Sequence, residues 1–334
     1  MYLRHFAFTR FPFDGELAPD ELFPSAAIAE AEARLKHLLE LRGIGLVTGE
    51  VGSGKTTVCR KIASALHPGR YRVFYVPLST GNVMDMYKSI AWELGLPTER
   101  NRATCYRALR TEISRLVLEA KQRPVVIVDE AHHLRNEVLE DLRLLTNYEM
   151  DSENRLCLWL VGLTELRRRL RMAVHESLEQ RIVVRHHLPG LSREELPDYL
   201  AHRLRLAGCE LPLFEPAVIE ALFQASRGIP RKINRLAHYA LSAAALAKAK
   251  TVSLEHLQAA LDEVSSCNEA TMNANDYPIP AHYTPEQLFA VLDLLETLRN
   301  AISDLYREQL ARDQLDLFAG YDENERPDLD DRFF

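Results

Sequence analysis

Gly49-Glu50-Val51-Gly52-Ser53-Gly54-Lys55-Thr56-Thr57 fits the phosphate-loop pattern G-x-x-x-x-G-K-[ST] at every required position. Before it, Ile44-Gly45-Leu46-Val47-Thr48 is a short apolar run suited to a buried strand. After it, the segment from Val58 to Leu66 reads as a helix. Strand, loop and helix in that order are the context the motif requires. Glycines let the backbone wrap an anion, so that N–H groups point at phosphate oxygens, and the positive end of the helix adds to the attraction. Gly49 to Thr57 are therefore the expected nucleotide-binding residues. Lys55 is expected on the β- and γ-phosphates, and the Thr56 hydroxyl on Mg²⁺.

A second motif supports the first. Val125-Val126-Ile127-Val128 predicts a buried parallel strand, and Asp129-Glu130 follow at its C-terminal end. Ligands of open α/β sheets gather at that end. Asp129 is the expected second Mg²⁺ ligand, and Glu130 the residue that orients the attacking water. ATP and Mg²⁺ are the cofactors these two motifs call for.

Composition fits a soluble globular protein. The 334 residues are 47% hydrophobic and 27% charged. The apolar run around Leu156–Leu163 is too short to cross a bilayer, and the first residues lack a signal-peptide layout. Five scattered cysteines without C-x-x-C indicate neither a disulfide framework nor a zinc site. A reducing cytoplasm and no membrane association are expected. Charge is unevenly placed. Residues 266–334 hold 15 acids and five arginines, a net −10, whereas 1–265 carry +3. The larger part tolerates a polyanionic partner.

Read in order, residues 1–25 form an aromatic and proline-rich arm expected to pack its rings on the domain. Residues 26–190 alternate helices and strands, with strands expected at 71–78, 155–163 and 181–187 besides the two above, predicting an α/β domain with a parallel sheet flanked by helices. From Ser192-Arg193-Glu194-Glu195, a capping-box start, the pattern becomes all-helical through 265, a lid subdomain. Residues 266–284 read as a linker, 285–318 as a helix, and 319–334 as an acidic disordered tail.

With these motifs placed, the chain resembles the ExeA-type AAA+ P-loop ATPases, which are similar to the ATPase subunits of transposons (the TnsC, TniB, MuB and IstB group). The resemblance spans about 1–265. It rests on Met1-Tyr2-Leu3 with Phe11-Pro12-Phe13, the phosphate loop, Val128-Asp129-Glu130-Ala131-His132, Leu160-Val161-Gly162-Leu163-Thr164-Glu165-Leu166, Leu178-Glu179-Gln180-Arg181-Ile182, and Gly228-Ile229-Pro230-Arg231-Lys232-Ile233-Asn234. It implies a homo-oligomer, ring or filament, in which Arg181 is an arginine finger reaching a neighbour's nucleotide. It implies that Arg231 is the lid arginine that closes over the nucleotide. Leu163 stands where the family often has a polar residue, which leaves Thr164 as the nearest polar sensor and argues for slow turnover.

Secretion-type relatives continue into a transmembrane helix and a periplasmic domain that this sequence does not contain. The transposon branch is therefore expected, with ATP-bound subunits assembling on double-stranded DNA and presenting it to a transposase. The alternatives are a secretion ATPase and a nucleotide-switched scaffold with negligible turnover. Candidate DNA-binding residues are Arg100, Arg102 and Arg107, with a second run at Arg167, Arg168, Arg169 and Arg171. No base-reading motif is present, so phosphate contacts should dominate. Near the end, Gln314-Leu315-Asp316-Leu317-Phe318 looks like the peptide that docks bacterial proteins on the replication sliding clamp.

Overall fold

Strand β1 (Ile44–Gly49) is buried along its whole length, and so is β4 (Cys157–Gly162). Continuous burial marks central strands covered on both faces. With β2 (Tyr71–Val76), β3 (Arg123–Val128) and β5 (Ile182–Leu188) they form one parallel sheet in the order β2-β3-β4-β1-β5. β5 alternates buried and exposed residues, as an edge strand does. The computed structural model describes residues 2–15, 17–77 and 82–273. The expected helix 285–318, the acidic tail and the segment Gln314–Phe318 lie outside the described residues.

Alternation along the strands feeds two apolar layers. Val47, Ile127 and Trp159 pack under the helices Ala26–Leu41 and Lys55–Ala65. Leu46, Val128 and Leu160 pack under Val83–Leu94, Arg102–Leu118 and Asn136–Leu145. The Asn101 side chain accepts hydrogen bonds from the backbone N–H groups of Ala103 and Thr104, which fixes one helix start.

Four further helices, Leu196–Leu206, Pro216–Ser226, Pro230–Leu246 and Leu254–Asn273, build the lid. At its entry the Ser192 Oγ accepts from the Glu195 N–H at 3.2 Å, and the Glu195 carboxylate accepts from the Ser192 N–H at 3.0 Å. The last helix runs past residue 266, where sequence suggests a linker. No helix-breaking residue occurs before Pro278.

The aromatic part of the N-terminal arm packs on the lid, and its later part reaches the sheet layer, where Arg60 donates to the Leu17 carbonyl at 3.0 Å. Tyr2, Phe8 and Phe13 are buried in the lid's own apolar cluster. Tyr2 bonds His238 at 2.9 Å, and the Arg203 guanidinium donates to the Pro12 carbonyl at 2.6 Å and to the Asp14 carbonyl. Arm, sheet and lid share one compact unit, Met1–Ser266.

Candidate nucleotide site

The loop after β1 turns back on itself at the C-terminal edge of the sheet. Gly52 has φ +80°, a left-handed conformation that favours glycine, and a Cβ there would lie 2.6 Å from the Cβ of Arg231. The Arg231 N–H donates to the Gly52 carbonyl at 3.3 Å. The first turn of a lid helix thus rests directly on the phosphate loop. A close backbone crossing holds it there: Leu191 N–H donates to the Gly228 carbonyl at 2.7 Å, and a Cβ on Gly228 would meet the Leu191 carbonyl at 2.1 Å.

Lys55 begins the following helix and is buried. Its ammonium donates to the neutral carbonyls of Gly49 at 3.1 Å and Glu50 at 2.9 Å. Burial pulls its pKa below the ordinary lysine value, partly opposed by the nearby Glu130, Asp129 and Glu50. The Ser53 hydroxyl is buried without a hydrogen-bond partner. A desolvated cation and an unpaired hydroxyl inside a curled loop fit an anionic phosphate group.

Asp129 is reached across β4, which separates β3 from β1. Thr56 Oγ1 donates to its Oδ2 at 2.6 Å, and the Glu130 N–H to its Oδ1 at 2.8 Å. A hydroxyl and a carboxylate this close are an oxygen donor pair of the kind Mg²⁺ takes. Tyr75, on β2, also donates to Asp129 Oδ2, at 2.9 Å. Burial and this bond raise the tyrosine's pKa, so the hydroxyl stays protonated as a donor. No motif marked Tyr75; only strand register places it beside Asp129. Glu130 has φ +51°, unusual for a non-glycine residue, and its carboxylate is half exposed at the edge of the site. Thr164 Oγ1 donates to Glu50 Oε1 at 3.0 Å, joining the end of β4 to the loop.

A cleft of about 570 Å³ opens beside the loop, lined by Gly52–Gly54 and Thr57, by Arg231 and Asn234 of the lid, and by Phe13 and Phe23 of the arm. The arm's part in it was not legible from sequence.

Arg181 lies elsewhere. It precedes β5, whose Ile182 is paired with Ile44, the first residue of β1. Arg102 is exposed and holds the buried Asp141 at 2.7 Å, alongside a bond from Tyr87. Arg100 and Arg107 are exposed. Arg169 is structural, donating to the His132 carbonyl at 2.8 Å and to that of Leu134.

Residues 38–170 match the family model of the AAA domain. This stretch is similar to an AAA domain. Over 247 residues it is 38% identical to General secretion pathway protein A of Aeromonas hydrophila, covering 73% of this chain and 45% of that protein. Over 103 residues it is 37% identical to the ATP-dependent target DNA activator B of Escherichia phage Mu, 30% of each chain. The chain thus spans less than half the length of these relatives. The fold is similar to that of the Aeropyrum pernix ORC2 protein (TM-score 0.56, 23% identity, 77% of this chain and 72% of that one). It is also similar to Cdc6p from Pyrobaculum aerophilum (TM-score 0.58, 16% identity, 76% and 70%). Among the described residues no helix is long and apolar enough to cross a membrane.

Proposed function

We propose that this AAA ATPase domain works as an ATP-gated oligomer in which Arg181 of one copy completes the site of the next. The placement of Arg181 carries the reading. Ile182 pairs with Ile44, and the phosphate loop starts at Gly49. Five residues of strand at about 3.3 Å each separate the two ends by roughly 17 Å. An arginine side chain does not span that distance, so a nucleotide that Arg181 serves belongs to another copy.

Within one copy each group has a distinct task. Lys55 and the loop N–H groups hold the phosphates, and Thr56 with Asp129 would hold Mg²⁺. Bound Mg²⁺ supplies charge neutralisation at the phosphate oxygens. Glu130, at the site's edge, orients and polarises water. Arg231 links closure of the lid to an occupied loop.

The process we assign is DNA handling in transposition. ATP-bound copies assemble on double-stranded DNA through phosphate contacts, with Arg100 and Arg107 as exposed candidates, and present it to a transposase. The likeness to the phage DNA activator supports this reading. The longer likeness to the Aeromonas secretion protein favours a second one, a secretion ATPase acting through a separate partner. Duplex binding with ATP and with ADP, measured from low to physiological salt, decides between them. The DNA reading expects ATP-dependent binding that weakens steeply with salt. Absence of binding in the ATP state leaves the secretion reading.

A further inference from the structure

Beyond β3 the chain makes a tight turn, Ala131–His133, directly after Glu130. The turn gathers three side chains with metal-ligand chemistry. Ligand atoms of Glu130, His132 and His133 all lie within 4.8 Å of one another. The two imidazole rings are 4.0 Å apart, centroid to centroid. His132 Nδ1 stands 3.4 Å from Glu130 Oε2. Zinc bonds of about 2.0–2.1 Å place tetrahedral ligand atoms about 3.3 Å apart, so this pair already spans one edge of such a site.

His132 supplies an independent observation. Its side chain is only 7% exposed, and its Nδ1 is buried without a hydrogen-bond partner. A buried, unsatisfied ring nitrogen is costly, and ligation would satisfy it. The turn that carries it is held in place. Arg169 donates to the carbonyls of His132 and Leu134, and Gly162 packs against the His132 backbone, where a Cβ would lie 3.2 Å from the nitrogen. Glu130 and His133 are exposed, so their side chains are free to rotate through the remaining gap of about 1.5 Å.

We propose that Glu130, His132 and His133 bind a transition-metal dication, with Zn²⁺ the best match to two imidazoles and a carboxylate. Mg²⁺, which prefers six oxygens, does not suit this set. Three protein ligands leave a fourth position for water. Occupancy withdraws the Glu130 carboxylate from the nucleotide, so the metal inhibits. This inhibitory half rests on the ATPase reading; the binding half does not.

The test titrates Co²⁺ into the full, nucleotide-free chain and follows its visible d–d absorption, then displaces it with Zn²⁺. One saturable ion with nitrogen/oxygen-type bands is expected. His133→Ala, at an exposed position, should weaken binding at least about tenfold while leaving the circular dichroism unchanged. His132→Asn should do the same if it folds. Equal Co²⁺ binding by wild type and His133→Ala, or no saturable site in the wild type, overturns the proposal. In the second arm, one equivalent of Zn²⁺ should suppress ATP hydrolysis by the wild type but not by His133→Ala. Binding without suppression overturns the inhibitory half. A metal-free chain with no hydrolysis at all refutes the ATPase reading and leaves the metal site standing.

Discussion

Gly52→Ala tests the contact between loop and lid. Gly52 sits at φ +80°, and an added Cβ would lie 2.6 Å from the Arg231 Cβ. Left-handed backbone costs an L-residue about 1–2 kcal/mol. Carbon atoms pack at about 3.5–4.0 Å, so the lid helix must retreat by roughly 1 Å. That retreat breaks the Arg231 N–H bond to the Gly52 carbonyl, which is long already at 3.3 Å. Its loss adds about 1 kcal/mol. We predict that the closed site loses about 2–3 kcal/mol, a fall in ATP affinity of roughly 30- to 140-fold. Titration calorimetry with ATP reads the affinity, and the strain is local enough that the nucleotide-free melting temperature should drop by only about 2–4 °C. On an Arg231→Gly background the steric part vanishes, so the Gly52→Ala penalty should shrink to about 1–2 kcal/mol. Affinity within threefold of wild type, or the full penalty on the Arg231→Gly background, would refute the reasoning.

Four other perturbations separate roles that the sequence merges. Arg102→Ala leaves the buried Asp141 with only Tyr87; because Arg102 is largely exposed, screening limits the cost to about 1 kcal/mol. Its melting temperature should fall by about 2–4 °C with duplex affinity unchanged, whereas Arg107→Ala should weaken duplex binding and flatten its salt dependence without changing the melting temperature. Tyr75→Phe removes one donor from Asp129 and should weaken apparent Mg²⁺ affinity about tenfold in a titration of ATP hydrolysis; an unchanged Mg²⁺ requirement would show that Tyr75 does not orient Asp129. Phe13→Ala removes a ring that packs on Phe214 and under Arg203 and should cost about 3–5 kcal/mol in a denaturant melt.

Legibility followed the range of the interactions. The loop 49–57 and the pair Asp129-Glu130 were readable because their chemistry is written in consecutive residues at the ends of apolar strands. Helix Val83–Leu94 ends at a residue whose role is local, since Gly95 supplies the left-handed cap at φ +75°. Strand order was not readable: nothing local tells β4 to lie between β3 and β1. Tyr75 was missed for the same reason, because its partner Asp129 lies just past the end of the neighbouring strand and only register joins them. Arg102 sits in an exposed basic stretch by composition, and its commitment to Asp141, 39 residues away, is purely tertiary. The arm's aromatic residues announced a packed surface without saying which; Arg203, almost 190 residues on, decides it by donating to Pro12 and Asp14.

On the proposed reading each nucleotide is served by two copies, with Glu130 from one and Arg181 from the other. Glu130→Gln and Arg181→Ala should each lose hydrolysis, the second by about a thousandfold or more. Mixed in equal amounts under assembly conditions, about one interface in four pairs an intact Glu130 with an intact Arg181. The mixture should recover about a quarter of the wild-type rate. A mixture as inactive as either variant alone, or an Arg181→Ala protein that hydrolyses ATP at the wild-type rate, would contradict it.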